Sequence, residues 1–495
     1  MNITVNNQTP DKYQKKVLKN NSQSLLVIAG AGSGKTFTII AKVKKIIKDG
    51  INPEDILCIS FTRESAKDLD KKLKKENINI KVKTFHSLGY ELINNYKRVQ
   101  LSDSKLLNKI VEKEIQNNNN LNKILNLKFK RIGKPDKAFN KMENNIILNT
   151  KNKEKLKIIL INFVNLFKSN NYKIKDFNNF QKLNKSNNLY DKRIRHKLFL
   201  KLAKNIIQKY QKELKKRKII DYHDMINLAT YIVKNNKIYP YKYIIIDEYQ
   251  DTSSNKNELI REIQKQTKCK LMTVGDDWQS IYGFSGSNLE SFTNFKQMFP
   301  NSKVIKLKNT YRNSKELLYI SRKFICKNKL QLKKRLKSAK RLKYPIYICY
   351  YKKNIKEILK KIKLNNDTLV LGRNNKDINM VPKELKFKTI HKSKGLECFD
   401  TVILNLEDKY NSFPSKIKES EYLKYVKPKI DSYPYAEERR LFYVAITRCK
   451  NRNYLFVNKD NPSMFVKEII KDYKKYIKIK DFSNNSWQKK HKRIY

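Results

Sequence analysis

A glycine-rich segment, "AGAGSGKT", occupies residues 29–36, directly after the apolar run "SLLVI" and directly before a helical pattern. Glycines allow successive backbone N–H groups to curl around phosphate oxygens, and a lysine at the helix start reaches the terminal phosphates. The hydroxyl that follows is suited to ligate Mg²⁺. A glycine-rich turn that binds nothing is the alternative, which the strand, the Lys-Thr pair and the helix together disfavour. The predicted phosphate loop consists of Ala29, Gly30, Ala31, Gly32, Ser33, Gly34, Lys35 and Thr36.

Two adjacent carboxylates, Asp247 and Glu248, end the apolar run in "YKYIIIDEYQDTSS". In that position Asp247 would hold Mg²⁺ through water, with Thr36 as the second metal-binding residue, while Glu248 would orient or deprotonate an attacking water. A carboxylate pair at a strand end could instead cap the next helix. Because the same chain carries a phosphate loop, hydrolysis of a nucleoside triphosphate is the favoured chemistry.

A third segment, "VGDDWQSIYGFSG" at Val274 to Gly286, combines two aspartates, a side-chain amide and three aromatic residues. Its polar half is suited to phosphate chemistry, and its aromatic half is suited to stacking on nucleic-acid bases. Spacing alone favours Tyr282 and Phe284 as core residues. The segment therefore raises the question of whether it does chemistry, grips a polymer, or does both.

The elements that must position these residues alternate between strand and helix patterns. From Ser24 to Leu92 the alternation is that of βαβ units around a parallel sheet. Strand patterns recur at "YKYIIID" and "KLMTVG", and a second set follows at "KVIKLKN", "DTLVLGR", "FDTVILNL" and "NYLFVN". We therefore expect an α/β protein with two lobes, each built on a parallel sheet.

A Lys/Asn-rich stretch that includes "QNNNN" at Gln116 to Asn120 separates the strands of the first lobe, and it predicts a mostly helical insertion with local disorder. The predicted boundaries are 1–90 for the first part of the first lobe, 91–217 for the insertion, 218–300 for the rest of the first lobe, 301–460 for the second lobe and 461–495 for a basic C-terminal tail.

The charge balance points to a polyanionic partner. The 495 residues include 110 Lys and Arg against 46 Asp and Glu, a formal net charge of +64. Nucleic acid is the leading partner and an acidic membrane surface the second, although over-use of Lys, Asn, Ile and Tyr could also reflect coding bias. Six scattered cysteines and five dispersed histidines predict no zinc site and no disulfide framework. Without a signal-peptide core or a membrane-spanning run, we expect an intracellular, soluble protein.

Seven segments then follow one another in a fixed order: "FTRESAKDL" (61–69), "KTFHSLG" (83–89), "IIIDEYQD" (244–251), "VGDDWQSIYGF" (274–284), "NTYRNS" (309–314), "TIHKSKGLE" (389–397) and "EERRLFYVAITR" (437–448). This series resembles the UvrD/Rep group of superfamily 1 DNA helicases, most closely its bacterial helicase IV branch. The resemblance implies two RecA-like lobes that clasp ATP and Mg²⁺, and an enzyme that hydrolyses ATP while moving 3′ to 5′ on single-stranded DNA. Single-stranded and tailed duplex DNA would be the partners.

The resemblance also assigns roles around the nucleotide. Gln14 would bind the adenine edge, Tyr311 would stack on the base, and Glu397 would bind the ribose hydroxyl. Phe37 stands where many members of the group carry arginine. Arginines from the second lobe and an amide from the first would contact the γ-phosphate, which completes a catalytic set of Lys35, Glu248, Gln279, Arg312 and Arg448.

For DNA, the resemblance answers the question raised by the third segment: its amide would contact the γ-phosphate and its aromatic residues would stack under bases. Ser285 and Lys256 depart from the group, which usually carries arginine and frequently glutamine at these positions. The DNA-binding residues implied are Phe61, Thr62, Thr84, His86, Tyr282, Phe284 and His391.

Two further features bear on function. Only about fifteen residues separate Arg373 from Thr389, where the best-known members of the group insert a large regulatory domain, so we expect no large insertion in the second lobe. Asp221 and Asp224 resemble an acidic element of the group, or they simply cap a helix. A translocase that strips proteins from DNA but unwinds weakly, and a DNA-binding subunit that has lost its ATPase activity, are the alternative functions. The complete set of phosphate-contacting residues argues against the second.

Overall fold

The computed structural model of the chain describes residues 3–96, 98–103, 105–117, 141–185, 190–362, 364–427, 431 and 433–483. The disorder expected around Gln116 to Asn120 falls mostly outside these ranges, as does the end of the predicted tail. None of the helices in the described ranges has the length and apolar character needed to cross a membrane.

Strands and helices alternate along most of the described chain. The strands are Ser24–Ile28 (β1), Ile56–Ser60 (β2), Lys81–Thr84 (β3), Gln100–Leu101 (β4), Ile219–Ile220 (β5), Tyr243–Ile246 (β6), Lys270–Gly275 (β7), Lys303–Lys306 (β8), Ile346–Tyr351 (β9), Thr368–Gly372 (β10), Lys386–Thr389 (β11), Asp400–Ile403 (β12), Asn453–Asn458 (β13) and Ile477–Asp481 (β14). The α-helices are Lys12–Lys19 (α1), Lys35–Lys48 (α2), Arg63–Lys74 (α3), Phe85–Asn94 (α4), Lys105–Gln116 (α5), Lys141–Ser169 (α6), Phe177–Lys185 (α7), Tyr190–Lys216 (α8), Tyr222–Asn235 (α9), Ser254–Thr267 (α10), Leu289–Thr293 (α11), Phe295–Met298 (α12), Lys315–Ile325 (α13), Ile355–Lys361 (α14), Ala436–Ile446 (α15) and Met464–Tyr473 (α16).

The first lobe is built on a six-stranded sheet with the order β3-β2-β6-β7-β1-β8. Every neighbouring pair of strands in it is parallel. Strand β1, "SLLVI", is buried along its whole length because helices cover both faces of the sheet. Since all strands run the same way, the loops that leave their carboxyl ends share one edge, where open α/β sheets bind ligands.

The second lobe repeats this plan with the order β11-β10-β12-β13-β9-β14, again in parallel pairs. Helix α15 packs between this sheet and the first lobe, with all but two of its residues buried. Between β10 and β11 the described chain holds only a single 3₁₀ turn at Asn375–Met380. The two parallel sheets confirm the predicted fold class, including the absence of a large insertion at this point of the second lobe.

The insertion in the first lobe is helical in its described part, as predicted. Its helices α5 to α8 enclose a core of their own with a phenylalanine cluster, and strands β4 and β5 pair at its base. Helix α4 belongs to the first lobe, because Leu92 and Ile93 pack into that lobe's core. The insertion therefore leaves the lobe only after Asn94, a few residues later than the predicted boundary.

Two assignments made from the sequence, one of a strand and one of a tail, are wrong. Strand β8, predicted for the second lobe, pairs with β1 and forms the edge of the first sheet. Residues 461–495 were predicted to be a tail, yet α16 packs on the second lobe and β14 pairs with β9. In both cases a short lysine-rich strand at a sheet edge packs one apolar residue, Ile305 or Ile477, against a core, while Val304 and Ile479 stay exposed.

A segment of the second lobe docks into the core of the insertion. The Tyr422 ring stacks on Phe199 with centroids 4.0 Å apart and planes 6° apart. The Tyr425 hydroxyl lies 2.8 Å from Nδ1 of His196, and Val426 is fully buried. The insertion thus contacts both lobes, which connects it to any movement of one lobe against the other.

Candidate active site between the two lobes

One cleft, with a volume of about 1370 Å³, separates the carboxyl edges of the first sheet from the second lobe. It brings most of the predicted site residues together. Ala29, Thr84, His86 and Phe284 do not line it. The predicted residues that do are Gln14, Gly30, Ala31, Gly32, Ser33, Gly34, Lys35, Thr36, Phe61, Thr62, Asp247, Glu248, Gln279, Tyr282, Tyr311, Arg312, His391, Glu397 and Arg448.

The order of the strands explains how the cleft is arranged. From one edge of the sheet inward, β3 ends at Thr84, β2 leads into Phe61 and β6 leads into Asp247. Next, β7 leads into Asp276, and β1 leads into the phosphate loop. Along the sheet edge the order is therefore the predicted DNA-binding residues, the carboxylates, the third segment and the phosphate loop.

The phosphate loop has the backbone that its glycines permit. Gly32 and Gly34 have φ values of +69° and +78°, in the left-handed region that favours glycine, and helix α2 begins directly after Gly34. The second lobe lies against this turn: the Tyr311 N–H donates to the Gly32 carbonyl at 2.8 Å. A Cβ on Gly32 would collide with Cβ of Arg312. Glycine is therefore required both by the turn and by the approach of the second lobe.

Lys35 and Glu248 form an ion pair, with 2.6 Å between Nζ and Oε1. Burial would raise the pKa of Glu248, but the ammonium groups of Lys35 and Lys394 outweigh it and lower that pKa. Burial and the charge of Glu248 raise the pKa of Asp247. Glu248, which the two lysines hold, is therefore ionised. The positive charge around Asp247 is too small to offset its burial and the charge of Glu248.

The Asp247 site fits Mg²⁺. A buried carboxylate with a raised pKa gains most from a nearby cation, and the side chain of Thr36 lines the same cleft. Over the described ranges no group of three or more His, Cys, Asp or Glu side chains could hold a metal. Magnesium does not need one, since it binds through one or two carboxylates together with substrate phosphates and water.

Arg448 reaches from the second lobe to the third segment. Its Nη2 donates to Oε1 of Gln279 at 3.1 Å, and Nε2 of Gln279 donates to Asp276 at 2.6 Å. Burial and the nearby guanidinium of Arg312 lower the pKa of Arg448 to about 10, so it is charged at neutral pH. A buried cation, an amide and a carboxylate from two lobes are therefore held in one chain of hydrogen bonds.

The base end of the cleft is more open. Tyr311 is 52% exposed, and its hydroxyl donates to the Asp11 carboxylate at 2.7 Å. Gln14 accepts from the Asp11 N–H at 2.9 Å as part of a helix-capping box, which leaves its amide nitrogen beside Gly34. Glu397 accepts from Arg312 at 3.1 Å, so the predicted ribose contact is held close to a predicted phosphate contact.

Aromatic rings form a row that begins at the other end of the cleft and continues to Phe284, outside the cleft lining. Phe61 and Tyr282 stack with centroids 5.3 Å apart, and Tyr282 lies 6.1 Å from Phe284. His391 of the second lobe lies 5.7 Å from Phe284 and accepts through its carbonyl from the Tyr282 hydroxyl at 3.2 Å. Phe284 is 54% exposed and is therefore not a core residue, while Tyr282 is half-buried against the second lobe.

The remaining residues predicted to bind DNA also make contacts within the protein. Thr62 and Thr84 cap the N-termini of α3 and α4 by accepting from Ser65 and Ser87. The His86 ring meets Tyr222 edge-on at 5.3 Å, and burial lowers the pKa of His86 to about 4, so the imidazole is neutral. These side chains lie at the same edge of the sheet as Phe61, with Thr84 and His86 set back from the cleft.

Comparison with known proteins decides the family. Residues 11–300 match the profile described as "UvrD/REP helicase N-terminal domain". The chain belongs to the UvrD/REP helicase family. The match spans both parts of the first lobe together with the insertion between them.

Full-length relatives extend this result into the second lobe. DNA helicase IV of Escherichia coli (strain K12) is 29% identical over 483 residues, covering 93% of this chain and 69% of the relative. ATP-dependent DNA helicase Rep of Buchnera aphidicola subsp. Acyrthosiphon pisum is 31% identical over 356 residues, covering 67% and 47%. PcrA of Leuconostoc citreum is 25% identical over 343 residues, covering 65% and 40%. The chain thus spans less than half the length of these Rep and PcrA relatives.

These comparisons confirm the predicted family and the predicted class of enzyme, an ATP-dependent DNA helicase. Residues from all but one of the seven sequence segments named above, the exception being residues 83–89, line the cleft between the two lobes.

Two lysines in and beside the cleft are not among the predicted site residues. Lys394 pairs with Asp251 and donates to the Gln279 carbonyl at 2.7 Å. Lys334 is buried between Asp276 and Asp277, 2.6 Å from the latter. Lys394 lies inside the motif "TIHKSKGLE" and could have been singled out there, whereas nothing in the sequence around Lys334 signals its role.

The acidic pair near the insertion has a simple structural explanation. Asp221 caps α9 by accepting from the Asp224 N–H at 2.8 Å, as the helix-cap interpretation predicted. Both carboxylates also bind the buried ammonium of Lys168 on α6. The pair therefore fastens the insertion to the first lobe.

Proposed function

We propose that this helicase moves 3′ to 5′ along single-stranded DNA and uses ATP hydrolysis to separate tailed duplexes. The observation that carries the proposal is that Gln279 and Tyr282 lie on one loop. Gln279 is bound to an arginine of the second lobe, and Tyr282 lies in the row of rings. A change at the phosphate end is thereby passed to the DNA end over three residues.

ATP would bind with its phosphates inside the glycine-rich turn, where Lys35 exchanges its ion pair with Glu248 for phosphate oxygens. That exchange frees the Glu248 carboxylate to accept a proton from, or orient, the attacking water. Thr36 and Asp247 would hold Mg²⁺, which supplies charge neutralisation for the phosphates when it is bound.

Hydrolysis would require both lobes. Arg312 and Arg448 stand on the second lobe and face the phosphate loop, so they stabilise developing charge only when the cleft is closed. Gln279 orients the Arg448 guanidinium and would itself meet the γ-phosphate. Loss of that phosphate weakens the link between the lobes and lets them part.

The row of rings would grip the strand without regard to sequence. Stacking of a base on an aromatic side chain is worth roughly 1–3 kcal/mol and is open to every base. Because His391 belongs to the second lobe and Phe61 to the first, closure of the cleft changes the spacing between rings. That change would move the strand by a step.

ATP turnover by the purified protein, with and without oligo-dT, tests the proposal, followed by strand displacement on 3′-tailed and 5′-tailed duplexes. We expect turnover to rise with DNA and the 3′-tailed duplex to be unwound preferentially. Stimulated turnover without displacement of either duplex would favour the translocase alternative. ATP turnover that does not change when oligo-dT is added would contradict the proposal.

A further inference from the structure

Lys256 is a half-buried lysine without a counter-ion among the described residues, in contrast to four other lysines whose side chains are largely buried. Lys35, Lys168, Lys334 and Lys394 are each ion-paired with at least one carboxylate. Among the described residues no salt bridge within 4.0 Å and no hydrogen bond involves the ammonium of Lys256. It lies instead 4.7 Å from the ring centroid of Phe61 and 5.6 Å from that of Phe85.

The surroundings of this ammonium are short of negative charge. Burial lowers the pKa of Lys256 to about 8, and Asp251, the carboxylate that opposes this shift, is already paired with Lys394. The positive charge of Lys256 in turn helps to lower the pKa values of His86 and His223. A half-buried cation in such a place is stabilised when an anion arrives.

The position of Lys256 beside Phe61 indicates which anion would reach it. Lys256 lies in the first turn of α10, beside Phe61, which is the first ring of the row that continues through Tyr282. The N-termini of α3 and α4, capped by Thr62 and Thr84, lie at the same sheet edge and add the partial positive charge of their helix dipoles. A strand whose base stacks on Phe61 brings a backbone phosphate into this region.

We propose that Lys256 binds a backbone phosphate of single-stranded DNA next to the base that stacks on Phe61. This inference rests on the proposed function, because it assigns a further contact to the same DNA track. In the absence of DNA the ammonium lies on the two rings; with DNA it exchanges these cation–π contacts for a charge-assisted hydrogen bond to phosphate. The competing explanation is that the lysine stem only covers the two rings, as long side chains often do.

The salt dependence of DNA affinity separates these explanations. Binding of a fluorescent oligo-dT would be measured from low to high salt for wild type, Lys256→Gln, Lys256→Met and Lys256→Arg. Each phosphate contact on a single strand contributes about 0.7 to the log–log slope. We therefore expect the Gln and Met variants to lose about 0.7 of slope and roughly tenfold or more in low-salt affinity, while the Arg variant keeps both.

Lys467→Gln is the matched control, since Lys467 is an exposed lysine on α16 that does not line the cleft. It removes the same charge, and we expect its slope to stay at the wild-type value. Melting temperatures would verify folding, and the Met variant keeps the apolar stem should the Gln variant be destabilised.

Wild-type slopes for both Lys256→Gln and Lys256→Met would overturn the inference. Full affinity for Met with reduced affinity for Gln would show that the stem alone matters, which also overturns it. Wild-type protein that fails to bind oligo-dT would contradict the proposed function as well, so the two failures are distinguishable.

Discussion

The two ends of the cleft are built in opposite ways, which suit the different ligands proposed for them. At the phosphate end, buried charged groups are held by fixed partners, as in the pairs Lys35–Glu248 and Arg448–Gln279. At the DNA end, rings such as Phe284 are partly exposed and contact one another only at their edges or faces. Phosphates present fixed charge in one geometry, whereas bases present interchangeable flat faces. Substitutions at the phosphate end should therefore abolish ATP turnover, whereas substitutions in the row of rings should reduce DNA binding only in part.

Lys35→Ala should have the largest effect. It removes the cation proposed to hold the phosphates and leaves Glu248 buried without its closest partner, so ATP turnover should fall to background. Affinity for oligo-dT should change little because the rings are untouched. Turnover within about tenfold of wild type would refute the assignment of Lys35 to phosphate.

Glu248→Gln should leave ATP binding intact and lower hydrolysis by roughly 10²–10⁴-fold, the share of a positioned base. The amide has the shape of the carboxylate but cannot take a proton. Lys35 then lacks its ion pair, and bound triphosphate supplies the missing negative charge. Binding of a fluorescent ATP analogue and single-turnover hydrolysis measure the two effects. Loss of nucleotide binding would assign Glu248 a structural role instead.

Arg448→Ala should reduce hydrolysis by roughly 10²–10³-fold, the effect of removing one donor that stabilises the developing charge, because Arg312 is still present. ATP affinity should fall much less, since the contact forms fully only in the closed cleft. Arg448→Lys is the matched variant, which keeps the charge but loses the fork of donors. Parallel losses in binding and turnover would contradict this assignment.

Phe284→Ala should have the mildest effect of the four. Loss of one stacked base, at roughly 1–3 kcal/mol, corresponds to about five- to 150-fold weaker binding of oligo-dT. Phe284→Trp should retain affinity, since the side chain is half in solvent and a larger ring still stacks. A tryptophan variant with a lower melting temperature, beside an alanine variant that binds normally, would assign Phe284 a packing role.

The same contrast explains what the sequence could predict. The phosphate loop is one contiguous segment, and so is the Asp247–Glu248 pair. Each can be predicted from the sequence because a strand end and the turn after it contain the whole arrangement. Strand β9, "IYICYY", has an equally clear apolar pattern and is missing from the strands predicted above. The sequence pattern of β9 is not ambiguous, so this strand could have been predicted.

Other features depend on partners far away in the chain. Strands β3 and β11 carry a single apolar residue between lysines, which is too short a pattern to distinguish an edge strand from a loop. The residues of β8 do not show which sheet the strand joins, because its pairing with β1 depends on tertiary contacts. The same is true of Lys334 between two aspartates and of Tyr422 on Phe199.

The central claim is that one loop couples the two ends of the cleft, and the ratio of ATP turnover with saturating oligo-dT to turnover without DNA tests it most directly. The ratio would be measured for wild type, Phe284→Trp and Phe284→Ala at DNA concentrations that saturate each protein. We predict a ratio well above one for wild type and the tryptophan variant, and a clearly lower ratio for the alanine variant. An alanine variant that binds DNA and keeps the wild-type ratio would contradict coupling through the aromatic residues of this loop.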